Sequence, residues 1–161
     1  MRKVLALISA MIICLVGISN VYADGLPIGI PSSATNGTNE FTITENSMSC
    51  ADADYITDED LTITVYSGGS IKVSVYAETA QTMQKLGFTS LVLEHWNGSE
   101  WENASEVTNQ FSLNTTDFFY NRYFTGLQSG HHYRVTVKLY AKKGFLQVQK
   151  MTITSNYFQI L

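Results

Sequence analysis

The sequence predicts an all-β fold, an antiparallel two-sheet sandwich arranged like an immunoglobulin or fibronectin domain, with about eight strands. Apolar and polar residues alternate in many short segments, which is the pattern of strands with one buried face. Turns that contain Gly or Asn separate these segments at intervals of roughly ten residues. The chain is nearly without helical periodicity. These observations together predict one sandwich domain over residues 41–161.

Residues 1–23 have the three parts of a secretory signal peptide. Arg2 and Lys3 are followed by an apolar run from Val4 to Val16, and small residues precede a cleavage site that ends at Ala23. The run is shorter than the roughly 20 residues that cross a bilayer, and no second hydrophobic stretch follows it. We therefore expect a secreted, extracellular protein that has no membrane span once the signal peptide is cleaved.

The mature chain is acidic. The full sequence has 14 acidic and 10 basic residues, and Arg2 and Lys3 leave with the signal peptide. A negative surface repels the phosphates of nucleic acids and of anionic lipids, so the sequence disfavours nucleic acid and membrane surfaces as partners. Residues 24–40 are rich in Gly, Pro, Ser, Thr and Asn and are predicted to form a flexible segment ahead of the domain.

Cys50 is the only cysteine that remains after cleavage, so the mature chain cannot form an intramolecular disulfide. Its thiol is either buried as a small apolar side chain or paired with a second chain, and the sequence leaves both open. The stability of the fold must therefore come from packing. No cofactor is expected.

The first strand is predicted at Phe41–Thr44, and an acidic loop from Asp52 to Asp60 follows it. The clearest hairpin joins Leu61–Tyr66 to Ser70–Thr79, because both segments alternate strictly. A three-residue loop, Ser67-Gly68-Gly69, places the apolar residues of both strands on one face, whereas a two-residue Gly-Gly turn would separate them.

This loop length fixes the register of the hairpin. We predict that Val65 pairs with Ile71 and that Ile63 pairs with Val73, provided that the two strands share a sheet.

Residues 80–87 are predicted to form a helical turn that crosses between the sheets, since two of their apolar residues are three apart. The next hairpin runs along Thr89–Trp96, turns at Asn97-Gly98 and returns over Ser99–Ala104. Asn-Gly tolerates the positive φ angles of a two-residue type I′ turn, which is therefore the predicted connection.

Two short strands are expected at residues 111–114 and 118–124. The alternation from Tyr133 to Ala141 is the longest in the chain and predicts a central strand. The turn Lys142-Lys143-Gly144 then leads into a return segment, residues 145–155. Its apolar residues change phase along the segment, which indicates a bulge or a sheet edge.

Three motifs follow the signal peptide within residues 61–153. These are the Gly68-Gly69 hairpin, the Asn97-Gly98 turn followed by Trp101, and Gly-x-x-Tyr-Arg-Val at residues 130–135. In the order of these features the chain resembles small exported proteins of unknown function from Gram-positive bacteria. The resemblance implies a style of fold and an exported location, and it brings no activity with it.

Trp96 and Trp101 are the best candidate binding residues. With a two-residue turn, both project from one face of the hairpin as diagonal neighbours, close to Glu94. Flat indole rings beside a carboxylate suit stacking on sugar rings. Alternatively, Trp101 packs in the core and only Trp96 is exposed. Tyr76 and Tyr140 fall on the polar phase of their strands and extend the predicted surface.

The densest group of hard oxygen ligands consists of Asp52, Asp54, Asp58 and Asp60. Calcium binds about six to eight oxygens at close range, so these residues are the candidate metal site. The group has neither the ligand spacing nor the turn glycine of an EF-hand, and a solvated acidic loop is the alternative.

The three histidines indicate neither a metal site nor a hydrolase. His131 and His132 are adjacent, so in a strand their side chains point to opposite faces. His95 has acidic neighbours in the sequence, but nothing fixes a nucleophile beside it.

These features favour a secreted, non-enzymatic binding or interaction module that recognises a carbohydrate or a protein surface through one sheet face or the Asn97-Gly98 hairpin. One alternative is a structural or assembly protein, in which exposed strand edges or residues 24–40 join subunits by strand addition. A small secreted hydrolase is the third alternative, because loops of a sandwich can carry an active site without a recognisable motif.

Overall fold

A computed structural model of the protein describes residues 41–45 and 55–160. Every regular element in these two ranges is a β-strand, which confirms the all-β class. The strands are β1 Phe41–Glu45, β2 Ile56–Tyr66, β3 Ser70–Trp96, β4 Trp101–Phe124, β5 His132–Lys142, β6 Val148–Thr154 and β7 Phe158–Gln159.

Several predictions fall outside the described residues. They concern the signal peptide at 1–23, the segment at 24–40, the thiol of Cys50, and Asp52 and Asp54 of the candidate metal site. They stay predictions.

All seven described strands belong to one antiparallel sheet, which curls into a half-barrel. Its order is β1-β2-β3-β5-β6, with β4 along the other edge of β3 and β7 beside the start of β5. Because β4 pairs along one edge of β3 in both halves of the sheet, β2 and β5 share the opposite edge. The hydrogen bonding places the strands in a single sheet, and a division into two sheets is not seen.

The long strands β3 and β4 form a bent hairpin that runs through both halves of the half-barrel. The first part of β3, Ser70–Thr79, pairs with β2, and its later part, Lys85–His95, pairs with β5. The two halves of the sheet are therefore joined by continuous strands. A side chain of β6 also reaches across, since Gln149 Oε1 accepts hydrogen bonds from the backbone N–H groups of Tyr55 at 2.6 Å and Ile56 at 2.9 Å.

The predicted helical turn at residues 80–87 is wrong, because this segment is extended inside β3. Met83 and Leu86 are both buried although they are three residues apart. Nearby in β4, Asn109 and Asn114 have positive φ angles of 56° and 51°, and such irregular positions change the phase of a strand. The spacing that imitated a helix thus comes from bends in the hairpin.

Gly87 lies at the centre of this bend, with φ of 152°. A side chain at this position would meet the backbone of β4, because a Cβ atom would collide with Gln110 O and lie 2.9 Å from Phe111 Cα. The glycine allows β3 and β4 to approach each other closely.

The predicted register of the β2–β3 hairpin is confirmed. Val65 pairs with Ile71 and Ile63 pairs with Val73, across a three-residue loop. The central strand is confirmed as well, because β5 lies between β3 and β6 and buries the alternating residues Tyr133, Val135, Val137, Leu139 and Ala141. These residues form the hydrophobic core together with the inward side chains of β2 and β3.

The return segment after β5 begins later than predicted. Residues 143–147 form a loop closed by the hydrogen bond from Lys143 N–H to Gln147 O at 3.0 Å, and β6 starts at Val148. The strand lies at the edge of the sheet, which explains the change of phase: Ile153 is buried, whereas Val148 faces outward.

Candidate functional site

The connection between β3 and β4 is a four-residue loop, Asn97–Glu100, and the predicted two-residue turn is wrong. The Asn97 side chain explains the longer loop. Its Oδ1 accepts hydrogen bonds from the backbone N–H groups of Ser99 and Glu100, each at 2.9 Å, and Asn97 N–H donates to Glu100 O at 3.1 Å. This Asx-type arrangement makes Trp96 and Trp101 direct cross-strand partners instead of diagonal neighbours.

The two tryptophans form a compact pair on the outer face of the sheet. Their ring centroids are 5.3 Å apart with an interplanar angle of 58°, and both side chains are half-buried. Arg134 also lies over the Trp101 ring, with Cζ 4.6 Å from the ring centroid. Trp101 is half-buried and not part of the hydrophobic core, and its indole ring contacts both Trp96 and the guanidinium group.

Glu94 holds this arginine in place. Arg134 Nε donates to Glu94 Oε2 at 2.8 Å and Arg134 Nη2 donates to Oε1 at 3.1 Å, while Thr136 Oγ1 donates to Oε2 at 2.8 Å. Burial raises the pKa of Glu94, but the hydrogen bonds from Arg134 and Thr136 and the arginine charge outweigh it and hold that pKa below its usual value. The structure thus brings Glu94, Trp96 and Trp101 together. Glu94 bonds to Arg134 and Thr136, whereas Trp101 Nε1 is buried without a hydrogen-bond partner among the described residues.

Tyr76 lies on the outer face of the other half of the sheet, beside aromatic residues that the sequence analysis did not select. Phe119 pairs with Tyr76 across β3 and β4 and is 61% exposed. Tyr123, four residues further along β4, is 57% exposed, and its ring stacks on that of Tyr66 with centroids 6.4 Å apart. We call Tyr66, Tyr76, Phe119 and Tyr123 the outer aromatic face.

Polar side chains lie between and beside these rings. Ser74 Oγ donates to Asn121 Oδ1 at 2.7 Å, and Lys72 pairs with Tyr123 across the strands. Tyr76 Oη donates to Glu78 Oε2 at 2.7 Å. The face therefore offers ring surfaces together with amide, hydroxyl, ammonium and carboxylate groups.

The carboxylates at one end of the outer aromatic face raise the pKa of Tyr76. The hydrogen bond to Glu78, then partial desolvation, then the negative charges of Glu78, Asp58 and Asp117 raise the pKa of Tyr76 to about 12. Tyr76 therefore stays a neutral hydrogen-bonding group at physiological pH.

Tyr140 lies at a different place from both groups. Its ring packs against Phe111 with centroids 5.6 Å apart, and Lys85 Nζ is 3.7 Å from the centroid of the Phe111 ring. The structure therefore does not bring Tyr140 together with Tyr76 or with the tryptophan pair.

The acidic loop predicted up to Asp60 is wrong in its last part, because residues 56–60 belong to β2. Asp58 is exposed and Asp60 is half-buried, and Asp60 Oδ2 accepts a hydrogen bond from Thr62 Oγ1 at 2.7 Å. Among the residues that the structure describes, no group of three His, Cys, Asp or Glu side chains is placed to hold a metal ion. The calcium hypothesis, which also needs Asp52 and Asp54, stays a prediction.

A cleft of about 510 Å³ opens where the two halves of the half-barrel meet. Its lining includes Leu93 and His95 of β3, Arg122 near the end of β4, and Gln128 and His131 of the following loop. The cleft has the volume of a small-molecule site. His95 Nε2 lies 3.6 Å from Glu102 Oε2, so the nearest ionisable partner of this histidine is a carboxylate.

No family model, curated protein or solved structure matches this chain. The resemblance to small exported proteins therefore stays a prediction from the motifs, and the functional argument depends on the geometry. Within residues 41–45 and 55–160, no helix is long and apolar enough to cross a membrane.

Phe119 and Tyr123 are the residues that sequence reasoning missed. A signal was present, since residues 118–124 read Phe-Phe-Tyr-Asn-Arg-Tyr-Phe. A strand turns successive side chains to opposite faces, so this run cannot bury all of its aromatic rings against one core. Phe118 and Phe124 are buried, and Phe119 and Tyr123 face outward.

Proposed function

We propose that the protein is exported and acts outside the cell as a non-enzymatic binding module, and that it binds carbohydrate through the outer aromatic face. The exposure of Phe119 and Tyr123 on one face of β4 carries this proposal. Large aromatic side chains are usually buried, and those that stay exposed together mark binding surfaces.

A carbohydrate suits this surface better than an apolar partner does. Phe119 and Tyr123 are four residues apart on one strand, which separates them by about 13 Å along the face. This spacing suits a chain of linked sugar rings, whose C–H faces stack on aromatic rings. Lys72, Asn121 and Glu78 provide donors and acceptors for hydroxyl groups beside the rings.

The tryptophan pair has a different role in this proposal. Trp101 is covered by Trp96 and Arg134, so the pair stabilises the end of the β3–β4 hairpin and leaves little indole surface for a ligand. The two halves of the bent hairpin face each other across the core, and we propose that this arrangement is a variant of the predicted sandwich in which continuous strands connect the two layers.

The test is binding to a panel of soluble and insoluble polysaccharides, with the wild-type protein and a Phe119→Ala/Tyr123→Ala variant. We expect the variant to lose at least about tenfold in affinity, because each ring loses its stacking contact. Phe145→Ala is the matched control, since Phe145 is 90% exposed but lies on a hairpin loop far along the chain. Equal binding by the wild type and the double variant, or no binding by the wild type to any polysaccharide of the panel, would contradict the proposal.

A second candidate function is assembly by strand addition. β4 pairs with β3 along one edge, and no other described strand pairs with it over its 24 residues. An unpaired edge of this length offers N–H and C=O groups to an added strand. Sedimentation equilibrium over a range of protein concentrations tests it: a mass that rises with concentration supports assembly, and a constant monomer mass opposes it.

A further inference from the structure

Apart from the outer aromatic face, the exposed large apolar side chains of the described residues lie on the β5–β6 hairpin and in the row of the sheet that meets it. Leu113, Phe145, Leu146 and Val148 are exposed by 68%, 90%, 87% and 39%, respectively. Phe145 and Leu146 form the tip of the loop between β5 and β6. Val148 lies directly after this loop, and Leu113 lies in the same row of the sheet.

That row also carries positive charge. Successive cross-strand partners run from Leu113 of β4 through Lys85 of β3 and Lys142 of β5 to Val148 of β6. Lys143 lies in the loop, and Lys150 pairs with Tyr140 two rows further along β5 and β6. We call Phe145 and Leu146, with the four lysines at positions 85, 142, 143 and 150, the basic tip.

The acidic and basic residues of the chain are separated along the sequence. All 14 acidic residues precede Phe118, and the remainder of the chain, residues 118–161, has six Lys and Arg residues and no Asp or Glu. The segment from Ala80 to Leu93, which carries Lys85, also lacks carboxylates. The segments that form the basic tip therefore carry lysines and no carboxylates. The acidic start of β2 lies nearby, because the N–H groups of Tyr55 and Ile56 donate to Gln149.

We propose that the basic tip docks on an anionic lipid bilayer. The side chains of Phe145 and Leu146 enter the boundary between headgroups and acyl chains, and the surrounding lysines bind the lipid phosphates. An apolar loop tip beside several lysines matches both layers of such a surface, because the interface is apolar inside and negatively charged outside. This proposal is independent of carbohydrate binding, which uses Phe119 and Tyr123 near the end of β4 and no residue of the basic tip.

The basic tip has the placement that insertion needs. Phe145 and Leu146 are almost fully exposed, so their insertion into lipid breaks few packing contacts within the protein. Lysine stems are long enough to keep their ammonium groups at the headgroup level while the loop enters more deeply. Each lysine near an anionic surface strengthens binding about fivefold.

The test is cosedimentation of the processed protein with vesicles of phosphatidylcholine alone and of equal parts phosphatidylcholine and phosphatidylglycerol. We expect binding to the anionic vesicles and at least about tenfold weaker binding to the neutral ones. Phe145→Ser/Leu146→Ser should lose at least about tenfold in affinity for the anionic vesicles, and Lys142→Gln/Lys143→Gln should lose about as much.

Phe119→Ser is the matched control, since it removes an exposed phenylalanine outside the basic tip and should bind as the wild type does. Thermal melting checks that all variants are folded. The proposal is overturned if the anionic vesicles are not preferred, or if Phe145→Ser/Leu146→Ser binds them as tightly as the wild type. Retained binding by that variant with loss in Lys142→Gln/Lys143→Gln would show attraction to negative charge without insertion, which also overturns it.

Discussion

Replacing Gly87 by alanine tests the bend through which β3 and β4 connect the two halves of the sheet. The new methyl group would collide with Gln110 O and crowd Phe111 Cα, both of which are backbone atoms that cannot rotate away. The φ angle of 152° adds a conformational cost for any residue with a side chain. Strain of this kind costs about 1 to 3 kcal/mol, and overpacking costs a similar amount. We therefore expect Gly87→Ala to destabilise the protein by about 3 kcal/mol or more.

Gly98→Ala is the matched control, because Gly98 also has a positive φ, 103°, but an added Cβ would meet no atom within 4 Å. It should cost only about 1 to 2 kcal/mol, the penalty of the backbone conformation itself. Urea denaturation of the wild type and both variants, with equal slopes, gives the free energies of unfolding. Equal destabilisation by the two substitutions would refute the close approach of β3 and β4 at this glycine.

Three further predictions concern side-chain pairs. Because the pKa of Glu94 is lowered in the folded protein, its stabilising contribution is present above the ordinary value of 4.5 and is lost as the pH falls through the folded value. The difference in unfolding free energy between the wild type and Glu94→Gln should therefore shrink on acidification, and a difference that stays constant down to about pH 3 would contradict this. Glu78→Gln should move the pKa of Tyr76 from about 12 toward its ordinary 10.0, as followed by the NMR signal of the tyrosine ring, and an unchanged titration would contradict the hydrogen bond. Trp96→Ala should lower the free energy of unfolding, measured by chemical denaturation, by about 1 to 2 kcal/mol, because the contact with Trp101 is lost. The same variant should bind polysaccharide as the wild type does. Loss of polysaccharide binding in a folded Trp96→Ala protein would instead show that the polysaccharide binds at the tryptophan pair.

The strands with one continuous buried face could be predicted from the sequence. Val65 and Ile71 pair as the three-residue loop requires, and β5 buries every second residue as its alternation indicates. In β3 and β4 the alternation of apolar and polar residues does not predict the strand, because the bends near Asn109 and Asn114 change which alternate residues are buried. A periodicity rule that assumes one phase per element divides such a strand into shorter pieces.

The candidate site shows the same limit. The sequence predicts Trp96 and Trp101 on one face, as the structure has them, but a two-residue Asn-Gly rule does not include the side-chain hydrogen bonds of Asn97 that lengthen the turn. Arg134 lies about 30 residues away from the pair in the chain, and only the pairing of β3 with β5 brings it over Trp101. The total charge was similarly misleading, since it concealed the carboxylate-free end of the chain.

The long bent hairpin also determines how the molecule can lose its structure. In most domains with two layers, each layer has strands of its own, and one layer can in principle open while the other persists. Here β3 and β4 pair with each other in both halves, from Ile71 and Phe124 at one end to Trp96 and Trp101 at the other, with one interruption between Glu78 and Met83. If either half opens, core side chains of the other half become exposed. This follows because β3 and β4 contribute core residues to both halves. We therefore expect the two halves to unfold together in one cooperative transition, so a destabilising change at either end of the hairpin should lower the stability of the whole fold.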